Sequence, residues 1–159
     1  MTGTIPVDLF KAELFAIFDE TFDEVHGIYL DRGTSLFETL ATISAEEASR
    51  PVSASCASIA AQVNHVAYYL DVIDRYARGE EPTDVDWPGS WHVGPVDEAG
   101  WAALNDRLRA SQRKVRATLD SLDDFDADAV GGGMSFVVHT AYHLGEIRQA
   151  LCTVRGDAS

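Results

Sequence analysis

Apolar residues recur at three- and four-residue spacings along most of the chain and almost nowhere alternate with polar ones. Helix rather than strand is therefore the expected element. The first stripe runs over residues 7–28, where Leu9, Phe10, Leu14, Ile17, Phe18, Phe22 and Val25 share one helical face. A shorter amphipathic piece follows over residues 35–43, with Leu36, Leu40 and Ile43 aligned. Ser44-Ala-Glu-Glu47 has the capping-box pattern, a serine followed three positions later by a glutamate, and predicts another helical turn before Arg50-Pro51 breaks it. A second long helix is expected after the serine-rich residues 53–58, ending near residue 78 where Gly79-Glu-Glu-Pro82 stops it.

Residues 79–96 then form a connection with Pro82, Pro88, Gly89, Gly94 and Pro95. Extended, it could reach up to ~60 Å, enough to cross a whole bundle. Loops of this length without structure of their own are uncommon and often functional. The third helix opens on Asp97-Glu98, acids suited to an N-terminus, and carries Trp101, Leu104, Leu108, Val115 and Leu119 to about residue 122. Acidic residues 123–128 and the triplet Gly131-Gly132-Gly133 predict a flexible turn before the last helix, residues 134–154, which stops at Arg155-Gly156. The expected fold is one all-α domain over residues 1–159. It is a four-helix bundle with a long crossover between helices two and three, and its site lies between facing helices.

His139-Thr-Ala-Tyr-His143 is where that helical reading acquires chemistry. Positions i and i+4 share a face, so two imidazoles can reach one metal ion, and Glu146 at i+7 projects from the same stripe. Phe136, Tyr142, Ile147 and Leu151, on or beside the stripe, are expected to pack the core around it. His65, in mid-helix among apolar neighbours, would complete three nitrogens with a coordination position left open, the arrangement of a catalytic metal. The competing reading is two histidines on an amphipathic helix that only hydrogen-bond. Glu146 reads either as a general base or ligand-orienting partner, or as a solvent-facing acid paired with an arginine.

Other chemistries fail on residue type. The zinc-peptidase signature needs Glu where Thr140 stands, and the ExxH motifs of di-iron bundles are missing. No serine has the context of a catalytic triad, and the glycine triplet lacks the Lys-Ser/Thr of a phosphate loop. Tyr142 and Asn64 read as packing or dimer contacts; Arg148 would orient an anionic substrate or bridge subunits. Trp87 and Trp91 read as anchors of the crossover rather than a lid, and His26 and His92 as surface histidines.

With 46% apolar and 24% charged residues, the 159-residue chain has ordinary globular composition. Cys56 and Cys152 form no framework and read as small buried residues of a reduced, intracellular protein. The first residues lack the basic and apolar regions of a signal peptide, and no apolar run approaches the ~18 residues of a membrane span, so the cytoplasm is the expected location. Twenty-six acidic against twelve basic residues give a formal charge of −14, a surface that repels nucleic acid. The cluster Arg107, Arg109, Arg113, Lys114 and Arg116 reads as a solvated helix face.

Four stretches together resemble the DinB/YfiT-like metalloenzyme superfamily of small bacterial four-helix proteins. They are Ile59-Ala-Ala-Gln-Val-Asn-His65-Val-Ala-Tyr-Tyr-Leu70, Asp86-Trp-Pro-Gly-Ser-Trp91, Gly94-Pro95-Val96 with Trp101, and His139-Thr-Ala-Tyr-His-Leu-Gly-Glu-Ile-Arg-Gln149. The link over residues 36–51 is similar too. The resemblance implies an up-down-down-up bundle, commonly a homodimer, and a zinc or nickel ion held by His65, His139 and His143. Relatives include transferases and an isomerase that use the low-molecular-weight thiols mycothiol or bacillithiol. The family's name refers to DNA-damage induction and implies no polymerase chemistry. The expected function is thus a metal-dependent enzyme activating a water or such a thiol against a small molecule. The alternative is a non-catalytic metal-binding, stress-response or interaction protein. Two departures bear on the residues around the metal: Ala57-Ser58 replaces the Trp-Ser pair of many members, and Gln62 stands where some carry histidine.

Overall fold

The computed structural model describes residues 4–156, and among these every regular element is helical. Four long helices, α1 (Val7–Phe22), α4 (Ile59–Ala77), α5 (Glu98–Asp120) and α6 (Ala127–Gly156), are joined by two short ones, α2 (Leu36–Leu40) and α3 (Ala45–Ser49). α4 is central, packed against α5 and α6, while α1 lies on α6. An isolated bridge pairs Pro51 with Ser58, and no described helix is long and apolar enough to cross a membrane.

The helix starts follow local chemistry. Ser35 with Glu38 and Ser44 with Glu47 form reciprocal capping boxes on α2 and α3. The Ser58 hydroxyl caps α4 at the Ala61 N–H, and the Asp97 carboxylate caps α5 at the Gly100 N–H. The core these helices enclose includes Phe18, Phe22, Leu36, Ile59, Leu70, Leu108, Leu119, Phe136, Leu144 and Ile147.

Three expectations need correction. α1 stops at Phe22 rather than near residue 28, because the buried Glu20 carboxylate captures the backbone that follows. It accepts the N–H groups of His26, Ile28, Tyr29 and Leu30 at 2.6–2.9 Å, and the chain reverses at Gly27 with φ 85°. Burial alone would raise the Glu20 pKa, but the four donors together hold it at about 2. At the other end, α6 begins at Ala127, so the glycine triplet is helical and not a flexible turn. The Asp126 carboxylate takes the Ala129 N–H at 2.8 Å and starts the helix early. Gly133 then lies against α1, where a Cβ would sit 2.8 Å from Leu14 Cδ2. Lastly, Cys56 and Cys152 are exposed, not buried: Cys56 lies in the turn that closes back on Ser53 before α4, and Cys152 in the last turns of α6.

The basic cluster of α5 is tied into the fold. Arg116 pairs with Asp19 and covers Phe15, Arg109 covers Phe37, Arg107 pairs with Asp71 and Lys114 with the buried Asp74. The crossover, residues 79–96, carries one 3-10 turn at Gly89–Trp91, which docks on α4.

Candidate metal centre

His65 from α4 and His139 and His143 from α6 come together where these helices face each other. One nitrogen from each ring lies within 4.8 Å of the others, and together they could hold a metal ion. The ring centroids are 5.3 Å (His65–His139), 5.1 Å (His65–His143) and 4.6 Å (His139–His143) apart. The two α6 histidines meet because i and i+4 share a face.

What surrounds each ring decides which nitrogen is free. The Ser90 hydroxyl donates to the Trp87 carbonyl at 2.6 Å, so toward His65 Nδ1, 2.7 Å away, it acts as acceptor. His65 therefore carries its proton on Nδ1 and turns the Nε2 lone pair inward. His143 Nδ1 lies 3.0 Å from Glu146 Oε2 and 3.4 Å from Gln62 Oε1, both acceptors, so its proton is likewise on the outer nitrogen. His139 stacks on Tyr69 at 3.6 Å, and its Nε2 is buried with no hydrogen-bond partner among the described residues. A buried polar atom without a partner is costly and calls for an explanation.

Burial lowers the pKa of all three. His65 falls to about 4, with repulsion from His143 adding to burial and Glu146 partly opposing it. His139 also falls to about 4, from burial and then from its two neighbours, while burial lowers His143 against the pull of Glu146. At neutral pH the cluster is three uncharged imidazoles with inward lone pairs. That donor set suits zinc, nickel and their neighbours. The orphaned His139 nitrogen and the two fixed tautomers fit a bound ion.

Among the other residues singled out, Glu146 stands at His143, with its side chain 40% exposed. Tyr142 is 61% exposed and packs edge-on to His143 instead of joining the core; Glu146 beside it raises its pKa. Asn64 fixes the crossover: its Nδ2 donates to the Ser90 carbonyl at 2.7 Å and its Oδ1 accepts from Arg107 at 2.8 Å. Trp91 stacks on His65 at 3.9 Å. His26 and His92 are exposed and do not belong to the three-histidine group, and Arg148 donates to Thr39 Oγ1.

The family resemblance singles out Gln62 near the metal residues, but sequence reasoning missed the roles of Tyr69 and Ser90. Tyr69, at i+4 from His65, shares its helical face as Gln62 does at i−3, so spacing could have found it. Ser90 could not have been found that way, because it reaches His65 from the short 3-10 turn of the crossover, far from His65 in sequence.

An all-helical protein with three neutral imidazoles converging from two helices is the class so defined. The family profile described as DinB superfamily matches residues 29–147, and the chain belongs to that superfamily. No curated protein and no solved structure matches it.

Proposed function

We propose that His65, His139 and His143 hold one divalent transition metal, zinc or nickel, and that the centre activates a water or a low-molecular-weight thiol for attack on a small electrophile. A mycothiol- or bacillithiol-type S-transfer is the form this takes. The supporting observation is the convergence of three uncharged imidazoles on a spot where His139 Nε2 has no protein partner. Such an ion supplies Lewis acidity, lowering the pKa of a bound water to about 7.

The chain's own residues do the rest. Ser90 holds the His65 proton on the outer nitrogen, and Glu146 does the same for His143. Tyr69 and Trp91 cover the faces of His139 and His65 and keep water off them. The half-exposed Glu146 carboxylate is the group able to take a proton from the incoming nucleophile. The same reading arranges the four long helices up-down-down-up, pairs two chains as a homodimer, and puts the protein in the cytoplasm with neither nucleic acid nor membrane as partner.

A second reading, a non-catalytic metal-binding or stress-response protein, draws on one fact. Glu146 is already engaged by His143 through Oε2, and among the described residues no other carboxylate is paired with the three imidazoles. The metal-loaded protein, assayed against an electrophile with and without mycothiol or bacillithiol, separates the two. Thiol-dependent turnover supports the transferase; absence of both turnover and thiol binding leaves the second reading.

A further inference from the structure

Besides the cleft of about 600 Å³ at His143, whose walls include Trp91, Tyr142 and Glu146, a second cleft of about 500 Å³ opens elsewhere and shares no lining residue with it. It lies where α4 and α5 end and α6 begins. We infer that this second cleft is a binding site for a small organic cation, an ammonium carried on a compact apolar or aromatic body. The inference is independent of the metal reading.

Three observations carry it. The first is the lining. The buried Leu119 and Phe136 and the partly buried Ile73 and Leu122 give the cleft an apolar wall, and the half-exposed ring of Tyr76 adds an aromatic surface. Such a wall takes a hydrocarbon or ring out of water, and an aromatic face attracts a cation. The second is charge. Asp124, Asp126 and Asp128 line the same cleft, and no Lys, Arg or His does. Asp124 and Asp126 each give one carboxylate oxygen to a backbone N–H, that of Phe125 and of Ala129, and the other oxygen is left for an occupant. The cations on the adjoining turns of α4 are engaged elsewhere, Arg75 with Glu80 and Asp84, Arg78 with Asp74 and Glu80. The C-termini of α4 and α5 add their partial negative charge, while Asp126 and Asp128 stand at the start of α6 and offset its positive end. Lys11 shows the pull: its ammonium donates to the Asp120 and Leu122 carbonyls at the end of α5, at 2.8 and 3.1 Å. The third observation is glycine. Gly79, with φ 78°, and Gly132 line the cleft, and a Cβ at either would meet nothing within 4 Å. Gly132 sits inside α6, where glycine costs stability and no described neighbour demands it. The bare backbone leaves width for a guest.

The test compares 2-phenylethylammonium with 2-phenylethanol, which share a body and differ in the charged group. Each is titrated into the ¹⁵N-labelled full chain and followed by amide chemical shifts. Saturable shifts should centre on Gly79, Gly132 and Phe136, with the ammonium binding about fivefold tighter at low salt, the scale of exposed carboxylates acting in watery surroundings. Raising the salt to ~1 M, where the Debye length is ~3 Å, should bring the two affinities together. Asp124→Asn combined with Asp128→Asn should do the same at low salt, and both positions are exposed, so the fold should hold. Gly132→Leu should remove binding of both probes by filling the space; should it fail to fold, the salt series on the wild type still decides. Shifts centred on His65, His139 and His143 instead, no binding of the ammonium, equal affinity of the two probes at low salt, or a preference that survives the asparagine changes would each overturn the inference. The metal reading stands in every one of those cases.

Discussion

Replacing Ser90 by alanine isolates how far the crossover loop controls the histidine centre. The Ser90 side chain is buried, accepts from His65 Nδ1 at 2.7 Å and donates to the Trp87 carbonyl at 2.6 Å. Alanine removes both bonds in a place water does not reach. An unsatisfied buried polar group costs ~1–3 kcal/mol, so the metal-free variant should lose about that much stability in urea unfolding. The effect on metal is separate. Without the hydroxyl, His65 is free to rotate or to carry its proton on Nε2, the nitrogen needed by the ion. Loss of such an outer partner typically lowers metal affinity ~10–100-fold. Competition for zinc against a chromophoric chelator would read this directly, with Ser90→Thr as the variant that keeps the hydroxyl and should recover affinity. If Ser90→Ala binds zinc within about threefold of wild type, a change too small for a lost orienting bond, then Ser90 does not orient His65 and the tautomer argument is wrong.

Further expectations follow from other parts of the structure. His139→Ala should abolish stoichiometric zinc while leaving the helical circular-dichroism spectrum, because a core of this size holds without an ion; loss of the helical signal would make the site structural instead. Metal-free protein should keep the histidine contribution to stability in full above pH 6.5 and lose it progressively down to about pH 4, since the unfolded chain protonates at the ordinary value while folded His65 and His139 resist to about 4. His139→Ala should flatten that segment of the stability–pH curve, and an unchanged slope would refute the assignment. Gly133→Ala should destabilise by ~1–3 kcal/mol through overpacking against Leu14, whereas Gly145→Ala should stabilise by up to ~1 kcal/mol, both read by thermal melting. Glu20→Gln should speed trypsin cleavage after the exposed Arg32 by loosening residues 26–30, and an unchanged rate would mean that the loop does not depend on the carboxylate.

Much of the fold was legible because its determinants are local. The serine–glutamate spacing at Ser44 and Glu47 predicts a capping box whose bonds close within one turn, and it forms. His139 and His143 share a face by helical geometry alone, whereas the meeting with His65 depends on how α4 packs on α6, which periodicity does not encode. The errors arose where a distant contact overrides local preference. Residues 23–28 look helical by their stripe until Glu20 claims the backbone donors beyond them. Residues 131–133 look like a turn by glycine content until the fit of Gly133 against Leu14 gives that glycine a packing role. Tyr142, expected to pack the core, is instead exposed at the cleft beside His143 with its ring edge-on to that imidazole, a placement that helical spacing alone does not decide. Ser90 was invisible because nothing in its neighbours reports a partner on another element.

The Asn64–Arg107 bridge has a kinetic corollary. Arg107 on α5 grips Asn64, Asn64 grips the Ser90 carbonyl, and Ser90 fixes His65, so three distant stretches must settle before the last imidazole is aimed. During refolding, tight zinc uptake should lag behind the burst of helix formation and keep time with the seating of the loop. Breaking the outermost grip, far from any ligand atom, should slow the arrival of the ion more than it loosens its final hold.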